Sequence, residues 1–251
     1  VSSDSQGAWE PVRKIRTYEQ VMAQIEQRIL DGFLRPGDRL PSERDLSQLL
    51  GVSRPSLREA LRVLEALGVV EVRSGGGPDG GSVFVGTPGE GFANLLKLQL
   101  ALGHFSNDDV VRTRVFLEEW VVGEAARRST PDDHARLRKI LDQMDGPGLT
   151  ARDFNRLDTE FHVAMAQATG NALGAYLMSS LRTAIHRRMI EVYEGLADWR
   201  ETATTVRQEH RAILDAIERQ DPDRAAALVR HHITSFYDTT STAGQVVPRT
   251  G

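Results

Sequence analysis

The chain contains no cysteine. That excludes a disulfide framework and thiolate metal ligation, so any bound metal must rest on carboxylates and imidazoles. No apolar run approaches the roughly 18 residues needed to cross a bilayer, and the first residues carry no apolar signal core. The expectation is a cytoplasmic protein with no membrane partner. An excess of positive charge is missing too: the formal net charge is −4 and the pI about 6.0. Taken alone, this counts against nucleic-acid binding, because binders are often basic. Even residues 1–85 carry 11 Lys/Arg against 12 Asp/Glu. A case for DNA must therefore be local, resting on clustered arginines and on a dimer that doubles the phosphate contacts. What is present is 251 residues at 40% hydrophobic content, enough for two cores and for one or two domains.

The most informative stretch runs from Leu40 to Gly68, LPSERDLSQLLGVSRPSLREALRVLEALG. Ser42 is a good N-cap, and Glu43 and Asp45 complement the helix dipole in the first turn. Leu46, Leu49 and Leu50 form the predicted buried face. Gly51 stops the helix, because a C-terminal cap usually needs positive φ. Ser53 caps a second helix, and Pro55 is tolerated in its first turn, where no intrahelical N–H partner is lost. Leu57, Leu61 and Leu64 make its apolar stripe, while Arg54, Arg58 and Arg62 recur every four residues on another face. Two readings fit: a solvated helical hairpin, or a helix-turn-helix with a recognition helix. In the second, arginines fork onto guanine edges or phosphates and Ser53 and Ser56 reach phosphates. Two strands follow, Val69 to Arg73 and Ser82 to Val85, around a glycine-rich turn. That order is a winged helix.

Here the sequence resembles the GntR family of bacterial transcription regulators. The resemblance lies in Leu40-Pro41-Ser42-Glu43-Arg44, Gly51-Val52-Ser53-Arg54, Leu57-Arg58-Glu59-Ala60-Leu61 and Gly81-Ser82-Val83-Phe84-Val85. It covers about residues 17–86 and implies operator binding through Arg44, Ser53, Arg54, Ser56 and Arg58. Family wings are usually shorter, so Gly75 to Gly81 reads as an insertion.

Residues 1–16 are polar and aperiodic and are expected to be a flexible arm. Thr17 with Gln20 reads as a capping box opening a helix to Asp31, with Val21, Ile25, Ile29 and Leu30 inward. Gly32 and Pro36-Gly37 mark the exit and a turn. Residues 87–91 complete a Gly/Pro linker. Beyond it, apolar periodicity and caps predict helices from Phe92 to Leu102, from Ser106 to about Arg128, from Thr130 to the Gly146-Pro147-Gly148 break, and over 151–168, 172–194, 199–219 and 222–239. Residues 240–251 read as a disordered tail. The fold class is thus mainly α: a winged helix-turn-helix over 17–86, then an all-α antiparallel bundle over 92–239.

Asp158 and His162 lie four apart on one predicted helix, His210 on a later one, and His231 and His232 on the last. One carboxylate with imidazoles from three helices is a plausible shell for a borderline divalent ion. The competing reading is histidines packed and hydrogen-bonded in a core. This region resembles the FCD ligand-binding domain of the FadR subfamily through Arg114-Val115-Phe116-Leu117-Glu118, Asp158 to His162 with Gly170-Asn171, Glu209-His210 with Ile213 to Ile217, and Ala225 to Ile233. The resemblance covers most of residues 107–236. It implies one divalent ion per chain, zinc or nickel, on Asp158, His162, His210 and His232. His231, about 100° around the helix, faces elsewhere. Members that sense acyl-CoA lack this set. For Arg114 two readings remain, an intrahelical pair with Glu118 and, by the resemblance, a clamp on an organic-acid effector. His104, His134 and His186 show no partner spacing and read as surface or packing residues.

The function expected is a metabolite-responsive regulator that binds double-stranded operator DNA as a homodimer and senses a small carboxylate effector beside the metal. Two alternatives stand against it. A metal-dependent enzyme could activate water at an open coordination position, and an architectural DNA binder would keep its histidines as core.

Overall fold

The computed structural model describes residues 16–73 and 81–244. The polar arm, the wing insertion and the end of the chain lie outside these, so the expectations about them have no structural counterpart. The described residues form two compact units that divide at Gly91 and Phe92.

The first unit is three helices and a hairpin: α1 (Thr17–Leu30), α2 (Glu43–Leu50), α3 (Arg54–Ala66), β1 (Val70–Arg73) and β2 (Gly81–Phe84). Its core is Val21, Ile25, Leu40, Leu46, Leu57, Leu61, Leu64, Val70 and Phe84. Each fully buried aliphatic side chain of this kind contributes about 1.5–3 kcal/mol over its exposed state. The strands are antiparallel, with Val70 opposite Phe84 and Val72 opposite Ser82. The segment before α2 joins them: Leu40 N–H donates to Ser82 O at 2.9 Å and Phe84 N–H to Asp38 O at 2.9 Å. This ties the wing to the helix-turn-helix.

Three local expectations need correction. The cap of α1 is Arg16 rather than Thr17, and Glu19 Oε2 accepts from the Arg16 backbone N–H at 3.1 Å. Leu30, at the last turn of α1, is 73% exposed, and Leu49 on α2 is 74% exposed. Each of these leucines lies on the side of its helix away from the core of the unit. Leu46 is buried and Leu50 half-buried, while Leu49 falls on the far side of α2.

The second unit is α4 (Gly91–Ala101), α5 (Asn107–Arg128), α6 (Pro131–Met144), α7 (Ala151–Ala168), α8 (Ala172–Gly195), α9 (Trp199–Glu218) and α10 (Pro222–Gly244). Gly91 therefore opens a helix instead of ending the linker, and α10 runs through residues 240–244 of the expected tail. Capping boxes at Ser106/Asp109, Thr130/Asp133 and Thr150/Asp153 start α5, α6 and α7. Each satisfies backbone donors that the first turn leaves orphaned. Helices α5, α7, α8, α9 and α10 enclose one apolar core, including Val121, Phe154, Phe161, Met178, Tyr193, Ile213 and Val229. The polar cluster described next sits inside that core.

Candidate metal centre and nucleic-acid interface

Asp158 and His162 project from α7 one turn apart, His210 from α9 and His232 from α10. All four are buried, between 0% and 4% exposed, and one ligand atom from each lies within 4.8 Å of the others. His210 Nε2 is 3.4 Å from Asp158 Oδ1 and 3.3 Å from His232 Nε2, and His162 Nε2 is 3.7 Å from the same carboxylate oxygen. The three Nε2 atoms and Oδ1 thus converge on one point. His231 is exposed, 3.9 Å from Glu209 on the outer side, as its position on the helix requires.

Two of the opposite ring nitrogens are held from behind, and the third, His210 Nδ1, is buried without a hydrogen-bond partner. His232 Nδ1 is 2.7 Å from Glu209 Oε2. His162 Nδ1 lies 2.5 Å from Glu118 Oε2, off the alignment of an ideal hydrogen bond. Carboxylates behind imidazoles orient the rings and direct Nε2 lone pairs inward, the arrangement common behind metal-ligating histidines. Phe161 stacks on His210 at 4.5 Å between ring centroids. His162 Nε2 has no hydrogen-bond partner although fully buried. A buried polar atom left unpaired costs about 1–3 kcal/mol, and a cation at the convergence point would remove that cost. The donor set of one carboxylate and three imidazoles fits a divalent first-row ion.

Charge explains the protonation states. For Asp158, burial alone would raise the pKa, but the Arg182 guanidinium and then the imidazoles outweigh it and hold the carboxyl well below its usual range. Glu118 is likewise held low against its burial, by His162 and then Arg114. Burial and then Arg182 push His162 down to about 4, against the opposing pull of Glu118 and Asp158. Burial, then His232, drives His210 well below the ordinary imidazole value. Neutral imidazoles are the ligating form.

Arg114 is 2% exposed. Its Nε donates to Glu118 Oε1 at 2.9 Å and its Nη1 to the Tyr237 hydroxyl at 3.4 Å. The intrahelical pair is therefore present, and Glu118 also touches His162, so Arg114 is one residue removed from the cluster. A residue not anticipated from sequence completes this network. Arg182 on α8, 2% exposed, donates to Asp158 Oδ2 and lies 4.0 Å from Glu118 Oε1. Arg182 occupies the outer carboxylate oxygen and leaves Oδ1 facing the imidazoles. The available signal was its place between Met178 and Ile185 on the buried stripe of α8, where a charged residue is unexpected unless paired. The remaining histidines hold packing or surface contacts: His134 with Ser129 at 2.7 Å, His186 with Asn155 at 2.8 Å, and His104 with Gln99. A cavity of about 240 Å³ between the α6–α7 turn and the start of α9 includes none of the cluster.

In the first unit, Ser42 caps α2 and Gly51 ends it at φ 63°. Ser53 Oγ accepts from the Ser56 backbone N–H at 3.3 Å and starts α3. Arg44, Arg54, Arg58 and Arg62 are all exposed. Arg58 pairs with Glu43 at 2.7 Å, joining α3 to α2. Such an exposed pair contributes about 0–1 kcal/mol, so a phosphate or base edge can displace it at little cost.

A winged helix-turn-helix joined to an all-α unit with a buried ligating cluster is the architecture of a transcription regulator with a sensing domain. The chain belongs to the GntR family of bacterial regulatory proteins: that family's profile matches residues 17–78, and the profile of the FCD domain matches residues 109–235. It is 31% identical over 220 residues to the HTH-type transcriptional regulator YcbG of Bacillus subtilis (strain 168), covering 88% of each chain. It is 29% identical over 236 residues to the HTH-type transcriptional repressor NanR of Cronobacter sakazakii (strain ATCC BAA-894), covering 91% of this chain and 87% of that one. Among solved structures it is similar to a GntR protein of Streptococcus agalactiae, with a TM-score of 0.61 at 25% identity, covering 88% of this chain and 99% of that one. The protein is a transcription regulator and not an enzyme. Its helix-turn-helix implies DNA binding and its FCD domain a small-molecule effector. Among the described residues no helix is long and apolar enough to cross a membrane.

Proposed function

We propose that this regulator binds operator DNA as a homodimer and senses a small organic acid at a divalent metal ion held by Asp158, His162, His210 and His232. The observation that carries the reading is the convergence of three imidazole Nε2 atoms and one carboxylate oxygen within 4.8 Å in a buried site. Neutral imidazoles with a single carboxylate suit zinc or nickel. The ion supplies Lewis acidity toward an anionic oxygen. The chain's own part is to fix its ligands: Glu118 and Glu209 orient His162 and His232, and Arg182 orients Asp158. Arg114, through its guanidinium fork, is the group that would clamp the acid's remaining oxygens. To do so it exchanges its contact with Tyr237 or Glu118 for the ligand. On the DNA side, Arg44, Arg54 and Arg58 read base edges or phosphates, and Ser53 and Ser56 contact the backbone. The effector acts by binding one arrangement of the dimer better than the other.

The test is elemental analysis of purified wild type, His210→Ala and His231→Ala. Wild type and His231→Ala should carry about one equivalent of a first-row metal, and His210→Ala should lose most of it while binding operator DNA as before. Equal metal in wild type and His210→Ala would sink the assignment.

A further inference from the structure

The turn between α6 and α7 and the first half of α9 enclose a cleft that the buried cluster does not use. It holds about 240 Å³ and is open to solvent on one side. Trp199, Ala203 and Arg207, four residues apart on one face of α9, form one wall with Arg200 beside them, and the turn from Asp145 to Leu149 forms the other. That turn presents bare backbone. Gly148 sits at φ 76°, and a Cβ on Gly146 would meet Gln143 O at 3.0 Å, so a side chain at either position would strain it.

Arg207 is fixed in place. Its Nη1 donates to Met144 O at 3.2 Å and its Nη2 to Thr204 Oγ1 at 2.9 Å, while its Nε lies 3.4 Å from Asp145 Oδ1. Its guanidinium carbon is 5.7 Å from the centroid of the Phe154 ring. Each Nη carries two N–H groups, so each keeps one for a further acceptor. Arg200 is held only by a ring. Its guanidinium carbon is 5.3 Å from the Trp199 centroid, and among the described residues it makes no ion pair. Trp199 is itself half-buried, with its ring 6.1 Å from that of Phe154.

These features define what fits. Guanidinium groups take carboxylates through paired N–H donors, and an indole gives a flat apolar surface for a ring. Arg200 and Arg207 set against Asp145 leave the lining with one net positive charge, which matches a monoanion and not a polyphosphate. Pockets for drug-sized ligands measure about 300–1,000 Å³, so this smaller one takes a single ring with a short acidic arm. We infer that the cleft is a second ligand site, for a small carboxylate carrying one aromatic ring. It is distinct from the metal centre proposed above, yet α9 joins the two, because His210 lies one turn beyond Arg207.

Phenylacetate is the probe, read by titration calorimetry on the whole chain. It should bind wild type, and one equivalent per chain should still bind after chelation and in His210→Ala, which both disable the proposed metal centre. Against those two backgrounds acetate, with the charge but no ring, and phenethylamine, with the ring but the opposite charge, should bind about ten-fold more weakly. Arg200→Gln should weaken phenylacetate about five-fold, and Ala203→Met, which fills the cleft, should abolish its binding. Binding lost on chelation and in His210→Ala would place the acid at the metal and overturn this site, while leaving the metal reading intact. Equal affinity for acetate, affinity unchanged in both cleft variants, or no binding by wild type would also overturn it. Arg200 is exposed, so its variant keeps the result readable should Ala203→Met fail to fold.

Discussion

Four ionised side chains and three imidazoles meet inside the bundle with little water to screen them. Arg114 and Arg182 are matched by Glu118 and Asp158, and removing one member would leave an uncompensated buried charge, a loss of about 3–5 kcal/mol. His162 and His210 stay neutral in that field, and acid stability follows from this. His162 is pushed down to about 4 by burial first and Arg182 second, against Glu118 and Asp158, while in the unfolded chain it titrates near 6.5. Between these values the unfolded state binds more protons. The contribution is therefore complete above about pH 6.5 and is lost as pH falls toward 4, on the order of 1–2 kcal/mol by pH 5. Asp158 and Glu118, both held low, lose their contributions at still lower pH, in the same direction. Thermal melting of chelator-treated protein should show the second unit's midpoint level down to about pH 6.5 and falling from there to pH 5. A flat profile across that range would contradict neutral burial of His162.

The helix-turn-helix depends on the ends of its two helices. Ser42 and Ser53 satisfy first-turn donors, each cap contributing about 1 kcal/mol. Gly51 takes the left-handed conformation that lets α2 stop and α3 begin three residues later. The result sets the first turn of α3, with Arg54, Ser56 and Arg58, on an exposed ridge. Replacing Arg54 or Arg58 by Ala should weaken specific operator binding by about 1–3 kcal/mol if the contact is to a base edge. A phosphate contact would instead weaken all sequences alike and reduce the salt dependence. Titration of specific and scrambled duplexes at two salt concentrations separates these outcomes. Specific binding that survives both substitutions would move recognition away from α3.

At the scale of the whole molecule, the proposed metal site would link folding to ligand binding through the buried cluster. Its ligands come from α7, α9 and α10, and the residues behind them from α5, α8 and α9. A bound ion would thus tie together five of the seven helices of the unit. An ion present at a hundred times its dissociation constant would stabilise the folded state by about 2.7 kcal/mol. Removing it should lower the melting midpoint of the second unit, restore it on adding zinc or nickel back, and leave operator binding by the first unit in place. A midpoint insensitive to chelator and to added metal would mean that the cluster is a hydrogen-bonded core and no more.

Local chemistry in the sequence determined much of this protein. Caps, glycine stops and apolar spacing placed every helix to within a few residues, because they act over three or four positions of the chain. The Asp158/His162 spacing put two ligand-type groups on one face of α7 for the same reason. Periodicity could not say which apolar face finds a partner, so Leu30 and Leu49 read as inward and lie outward. Nor could it join positions far apart in the chain. Arg182 meets Asp158 across 24 residues and Glu209 meets His232 across 23, and only helix packing brings them together. A charged side chain reads as surface until the tertiary structure supplies its counter-charge, because only there does burial stop being prohibitive. That is why the sequence pointed to the four ligand-type residues, and the folded bundle alone revealed the buried carboxylates and guanidinium that hold them.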